Sequence, residues 1–168
     1  MRVALLDVFA EKLQEAADSC GAVPFVCDVT DAASCQQAAA DIEAEWPGVP
    51  IAFLFNNAGI NDQTSKVLTS SPEDWQTVFS VNVFGAVNIL QAFTPGMLAR
   101  PLPSGKPSRL VTTSSVVGLL NHSSGPYTAS KMAVTAIIEQ FSLGEHGHLQ
   151  ASVRAAAAYA RRAVLPQS

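Results

Sequence analysis

Ser114-Ser115-Val116-Val117-Gly118-Leu119-Leu120-Asn121-His122-Ser123-Ser124-Gly125-Pro126-Tyr127-Thr128-Ala129-Ser130-Lys131 is the stretch from which the fold is read outward. The apolar pair Leu110-Val111 enters it as the end of a strand. Two hydroxyls follow, then a loop containing Gly and Ser, then a helix start at Gly125-Pro126. Tyr127 and Lys131 are four apart, so on a helix they share one face, one turn apart. An ammonium group beside a phenol favours the phenolate. With a hydroxyl at the strand end facing the pair across the loop, this is a candidate proton-transfer site.

The bulk properties narrow what surrounds that site. A chain of 168 residues with 48% hydrophobic and 14% charged residues reads as one domain with a real core. A net charge of −4 argues against a nucleic-acid surface. No window reads as a bilayer-crossing segment, and the apolar part of Met1 to Asp7 is too short for a secretory leader. Cys20, Cys27 and Cys35 lack zinc or thioredoxin spacing and read as reduced core or near-core thiols of a cytoplasmic protein. His146 and His148 lack a ligand cluster, so no metal site is expected.

Upstream, strands and helices alternate. Arg2 to Leu6 reads as a buried strand ending at Asp7. Glu11 to Cys20 has helical period and stops at Gly21. Val23 to Val26 is a second strand, closed by Cys27-Asp28-Val29. Thr30 or Asp31 caps a helix running to about Glu45. Ile51 to Phe55 is an unbroken apolar strand of the kind buried on both faces, and Asn56-Asn57-Ala58-Gly59 follows it. Ser71-Pro72-Glu73-Asp74 starts a helix that carries Asn82 and runs to about Ala99. Pro101 to Pro107 is a connector, Arg109 to Thr113 a fourth strand, and a helix runs from Pro126 to about Leu143. This order predicts an α/β fold with a parallel sheet covered by helices on both faces. Residues 1–150 form the domain, and 151–168 are set apart as an Ala/Arg-rich tail.

The set Asn56-Asn57-Ala58-Gly59, Asn82, Ser115 and Tyr127-Thr128-Ala129-Ser130-Lys131, in that order, closely resembles the short-chain dehydrogenase/reductase family. The resemblance implies a Rossmann-like doubly wound sheet and an NAD(P)-dependent oxidoreductase. That enzyme would move hydride between nicotinamide and a secondary alcohol or ketone, a small molecule. It makes Tyr127 the general acid/base, Lys131 its electrostatic partner and ribose ligand, and Ser115 the group that positions the substrate oxygen. Ser114 remains an alternative to Ser115. Asn82 matches the asparagine that supports a proton relay to the lysine. Asp7 matches the carboxylate that bonds the adenosine ribose and repels a 2′-phosphate, which favours NAD over NADP. Asp28 and Val29 match the pair flanking the adenine, and Asn57, Ala58 and Gly59 the segment lining the cofactor. Family members assemble as homodimers or homotetramers, through helices corresponding to residues 72–99 and 126–143.

Two departures qualify the expectation. The family opens with a strand and a Gly-rich pyrophosphate turn, whereas this chain begins at what resembles the second strand. In the family the first strand lies between the second and the fourth, so a central strand is expected to be lacking. At the other end, Ala151-Ser152-Val153 resembles the start of the next strand, but no Pro-Gly segment follows, and the last strands are lacking too. The expectation is a chain truncated at both ends, as a late start and an early or out-of-frame end would produce. The competing reading is therefore a catalytically inactive or partner-binding remnant of such an enzyme.

Overall fold

The computed structural model describes residues 1–61, 66–118, 125–144 and 149–154. The order of elements is β1 (Ala4–Asp7), α1 (Ala10–Cys20), β2 (Val23–Val26), α2 (Ala32–Glu45), β3 (Phe53–Asn56), α3 (Pro72–Phe79), a π turn (Ser80–Phe84), α4 (Gly85–Ala99), β4 (Ser108–Thr113), α5 (Gly125–Leu143) and β5 (Leu149–Arg154). All strand pairing is parallel, as the strand–helix alternation requires. Residues 151–154 belong to β5 and hence to the sheet. The tail from 155 onward lies outside the described residues.

Local chemistry explains the boundaries. Gly21, at φ 68°, takes the left-handed conformation that ends α1 and donates its N–H to Ala17 O. The Asp31 side chain accepts the Ala33 N–H at 2.9 Å and so caps α2. Ser71 and Asp74 close a reciprocal box at the start of α3: Asp74 N donates to Ser71 Oγ, and Ser71 N to Asp74 Oδ2.

The sheet is divided at the place where a central strand was expected to be lacking. β1 pairs with β2, and β3-β4-β5 form a separate three-stranded sheet. Both rest on one helical layer. Cys35, Ala38 and Ile42 of α2 with Ile89 and Phe93 of α4 form a buried cluster, and it receives Ala4 and Leu6 from β1 and Leu54 from β3. A second cluster joins Leu90 and Met97 of α4 to Leu110, Ile138 and Leu149. A third joins Val83 and Ala86 to Val134.

Three expectations need correction. β3 was expected to be buried on both faces, but only its Leu54 side is covered. Phe53 and Phe55 are 55% and 54% exposed, their rings 6.2 Å apart on the other side, because no described helix lies over them. The stretch Pro72–Ala99 does contain an 18-residue window of bilayer-crossing hydropathy (mean 1.3), and half of that window is buried against the rest of the fold. Among the cysteines, Cys27 and Cys35 are buried but Cys20 is exposed.

Pro24 stands in β2 opposite Leu5. Val23 N and Cys27 N donate to Val3 O and Asp7 O, so by strand alternation residue 24 points away from β1. A proline, which has no N–H to offer, is suited to that outer edge.

Candidate functional site

The polar groups gather at the carboxyl ends of the strands, where parallel α/β folds bind ligands. After β3 the chain runs through Asn56, whose buried Nδ2 donates to Ala86 O at 3.1 Å and fastens the strand end to α4. Asn57 Oδ1 accepts from Thr113 Oγ1 at 2.7 Å, joining the ends of β3 and β4. Ala58 and Gly59 are exposed beyond it.

Asn82 sits at the centre of the π turn and is 1% exposed. Its Oδ1 accepts the Ile60 N–H at 2.8 Å, and its Nδ2 donates to Ile60 O and to Ser130 Oγ, each at 2.9 Å. The continuous helix expected over 72–99 is therefore interrupted at this residue. The wide turn is held by an amide that satisfies the backbone of the 57–60 loop. Gly59 closes against the same group: a Cβ there would lie 3.0 Å from Lys131 Nζ and 3.2 Å from Asn82 Oδ1. A side chain at this position would crowd both polar groups, so glycine lets the loop backbone pass close to the lysine and the asparagine.

Helix α5 places Tyr127 and Lys131 one turn apart, both largely buried. Lys131 Nζ lies 5.9 Å from the Tyr127 ring centroid and donates to Thr113 O at 3.2 Å. Burial pushes its ammonium below the ordinary lysine range. Ser130 Oγ donates to Tyr127 O at 2.7 Å.

The two serine candidates have different surroundings. Ser114 Oγ donates to Lys131 O at 3.1 Å and shares a 2.7 Å hydrogen bond with Thr135 Oγ1. It serves to pin α5 to β4. Among the described residues, Ser115 Oγ accepts only a long 3.4 Å bond from Val117 N at the start of the short 3₁₀ turn Val116–Gly118. Among the described residues, Ser115 is thus the less engaged of the two serines.

Asp7 and Asp28 stand apart from this cluster, at the ends of β1 and β2. Asp7 Oδ1 accepts the Phe9 N–H at 3.0 Å. Asp28 Oδ1 accepts from Thr30 N and Thr30 Oγ1 at 2.9 and 2.7 Å, bonds that hold its carboxyl below the usual range. Val29 is fixed more firmly. Its carbonyl accepts from Asn88 Nδ2 at 2.9 Å, and its side chain occupies the space that a Cβ on Gly85 would need. The structure therefore brings Asn57, Gly59, Asn82, Tyr127 and Lys131 into one cluster. Asp7, Asp28 and Val29 line a separate stretch on the far side of the divided sheet.

Two contributors had not been singled out. Thr113 ties both Asn57 and Lys131, and Ser130 ties Asn82 to the Tyr127 turn. Ser130 was legible in principle as a hydroxyl three residues after Tyr127, a spacing that reaches back along a helix. Thr113 acts on Lys131 through its carbonyl and carried no such signal. Leu119 to His122, expected to form a pocket wall, lie outside the described residues, as do His146 and His148.

The short chain dehydrogenase profile matches residues 1–159. The C alpha-dehydrogenase of Sphingobium sp. (strain SYK-6) is 30% identical over 149 residues, covering 85% of this chain and 47% of that protein. The NADP-dependent 3-hydroxy acid dehydrogenase YdfG of Shigella flexneri is 31% identical over 137 residues, covering 79% and 50%. A crystal structure of a short chain dehydrogenase/reductase from Burkholderia phymatum in complex with NAD superposes with a TM-score of 0.78 at 32% identity, over 91% of this chain and 55% of that one. The chain thus spans about half the length of the curated relatives it matches.

Proposed function

The chain belongs to the short chain dehydrogenase family, and from that premise we propose that it acts as an NAD-dependent oxidoreductase on a small secondary alcohol or ketone. The observation that carries this reading is Lys131 Nζ set 5.9 Å from the Tyr127 ring centroid on one helix face, close to the end of β4 and Ser115. Tyr127 takes the proton from an alcohol or returns it to a carbonyl oxygen. Ser115 holds the substrate oxygen by a hydrogen bond and fixes its approach. Asn82 keeps the 57–60 loop against the lysine and, through Ser130, keeps the Tyr127 turn in register with it.

Bound nicotinamide supplies the hydride acceptor or donor. Asn57, Ala58, Gly59, Tyr127 and Lys131 would hold its nicotinamide half, and Asp7, Asp28 and Val29 its adenosine half. NAD is favoured over NADP because the Asp7 carboxylate would accept from ribose hydroxyls and repel a phosphate there. The described residues contain no Gly-rich pyrophosphate turn.

One rival reading is a remnant that keeps the proton-transfer set without binding dinucleotide. Titrating the folded chain with NADH, followed by calorimetry and nucleotide fluorescence, separates the two. Saturable binding together with turnover on a panel of secondary alcohols supports the enzyme. A folded chain with no saturable binding leaves the remnant. The proposed setting is the cytoplasm, as a homodimer or homotetramer. Supporting the latter is an apolar groove between α4 and α5, lined by Leu90, Thr94, Leu98, Ile137 and Phe141.

A further inference from the structure

Asparagine is a weak helix former, because its side-chain amide competes with the backbone for hydrogen bonds. Asn88 nevertheless stands inside α4, half-buried, and directs that amide to a distant segment. Its Nδ2 donates to Val29 O at 2.9 Å, across 59 positions of chain. Gly85, one turn earlier, lets the two segments come this close: a Cβ there would lie 2.7 Å from Val29 Cγ2.

The carbonyl of Val29 and the N–H of Thr30 belong to one peptide plane, and that plane is held at both ends. Asn88 holds the carbonyl. At the other end, Thr30 N donates to Asp28 Oδ1 at 2.9 Å, and Thr30 Oγ1 donates to the same oxygen at 2.7 Å. A planar peptide cannot turn one end without the other. A donor fixed on Val29 O therefore also aims the Thr30 N–H at the Asp28 carboxylate. The backbone of Asp28 is secured separately, by α2: its N–H donates to Ser34 Oγ at 3.0 Å and its carbonyl accepts from Asp31 N at 3.1 Å. The main chain at Asp28 thus follows α2, while the peptide that orients its side chain follows α4.

We propose that Asn88 is a positioning residue for the adenosine half of a bound dinucleotide, setting the Val29–Thr30 peptide and, through it, the Asp28 carboxylate. The inference rests on the reading of Asp28 and Val29 as cofactor-holding residues given above. Asn88 acts through the Val29 carbonyl and not by contact with the ligand. Without its donor, the half-buried carbonyl would turn toward water and swing the Thr30 N–H away from Asp28. Both groups would then have to be ordered when the ligand arrives, and a loop ordered in advance binds at lower cost. Asn82 and Asn88, on one helical arm, thereby secure one loop each: Asn82 the 57–60 loop beside Lys131, and Asn88 the 28–30 segment.

The test compares Asn88→Leu, which keeps the side-chain size and loses the donor, with Asn88→Gln, which keeps the donor on a longer stem. In the ligand-free full chain, Asn88→Leu should speed hydrogen exchange of the Thr30 amide. It should also raise the Asp28 carboxyl titration, which the Thr30 bonds hold below the usual range, toward the ordinary aspartate value. Asn88→Gln should restore both in part. A side chain that merely packed α4 would move neither. Calorimetry with ADP, nicotinamide mononucleotide and NADH then reads the ligand side. Asn88→Leu should weaken ADP and NADH binding about three- to tenfold, the size of one hydrogen bond, and leave the mononucleotide unchanged. Unaltered Thr30 exchange and Asp28 titration in Asn88→Leu overturn the proposal. So does equal ADP affinity in the parent and Asn88→Leu chains. A parent chain that binds neither ADP nor NADH overturns the cofactor reading and the proposal together, and that outcome is told apart by a Thr30 amide that still responds to Asn88→Leu.

Discussion

Asn82 and Ser130 are 48 positions apart in the chain and share a hydrogen bond of 2.9 Å, from Nδ2 to Oγ. Through it one buried amide joins three elements: the 57–60 loop, the π turn and the first turn of α5. Neither Tyr127 nor Lys131 is touched by Asn82 in any hydrogen bond among the described residues, yet Ser130, which precedes Lys131 and donates to Tyr127 O, is. Asn82 is in this sense a positioning residue.

Replacing Asn82 by Ala removes three hydrogen bonds and strands the Ile60 N–H. We expect a loss of about 2–4 kcal/mol of stability, measured by urea unfolding, with faster exchange of the Ile60 amide. Ser130→Ala removes the link to α5 and leaves the Ile60 bonds in place, and should cost roughly half as much. Equal losses in the two variants would show that the link to α5, not the loop, carries the asparagine's contribution.

Tyr127→Phe keeps the ring and removes the transferable proton. If the chain turns over, this variant should lose activity by at least about a hundredfold, read from NADH absorbance. Retained turnover would remove Tyr127 from the mechanism.

Gly85→Ala sets two effects against each other. Alanine in a helix is favoured over glycine by about 1 kcal/mol, but its Cβ would lie 2.7 Å from Val29 Cγ2, and overpacking of this kind costs about 1–3 kcal/mol. Because Val29 is β-branched and also fixed through its carbonyl by Asn88, it yields poorly. The clash should win, and Gly85→Ala should destabilise. In a Val29→Ala background, where only the contact to the residue 29 Cβ at 3.1 Å remains, the penalty of Gly85→Ala should shrink. A double-mutant cycle measures the coupling directly.

Lys131 carries a pH signature. Burial lowers its pKa in the folded state relative to the unfolded chain, so between the two values the unfolded chain holds more protons, and stability rises with pH through that window. Below the window the folded protein carries the full cost of a buried ammonium. Lys131→Met should therefore be the more stable protein at neutral pH, and the difference should shrink as pH climbs toward the ordinary lysine value. Parallel stability curves for the two proteins would refute this.

Thiol reactivity should split in two. Cys20 is exposed, whereas burial raises both the Cys27 thiol and the Cys35 thiol, the latter to about 12. A disulfide reagent at neutral pH should find one fast thiol, absent in Cys20→Ser, and two that respond only on unfolding.

The helices and the site were largely legible because their signals are local. Ser71-Pro72 and Asp31 announce helix starts by side-chain capping, and Tyr127 and Lys131 meet by helical spacing alone. The division of the sheet was legible only as a consequence of the family resemblance. The exposure of Phe53 and Phe55 ran against their pattern, since an apolar run looks the same whether or not a helix covers it. The π turn had no local signature. It exists because Asn82 finds Ile60 and Ser130, partners 22 and 48 residues away. The use of the Thr113 carbonyl by Lys131 was invisible for the same reason, since every residue has a carbonyl.

The π turn also sets the angular phase of the long helical arm it interrupts. Before it, Val78 is buried and Phe79 packs on the Val83–Ala86–Val134 cluster. After it, Ile89 and Phe93 serve one cluster and Leu90 and Met97 another. Each residue of helix advances the azimuth by about 100°, so the extra residue in the wide turn determines which side chain arrives over which half of the sheet. Deleting one residue between Ser80 and Phe84 would leave the composition of α4 intact and rotate every contact it makes. In this fold the short segment Ser80–Phe84 should accordingly be far less tolerant of a change in length than of a change in sequence, except at Asn82, where it should tolerate neither.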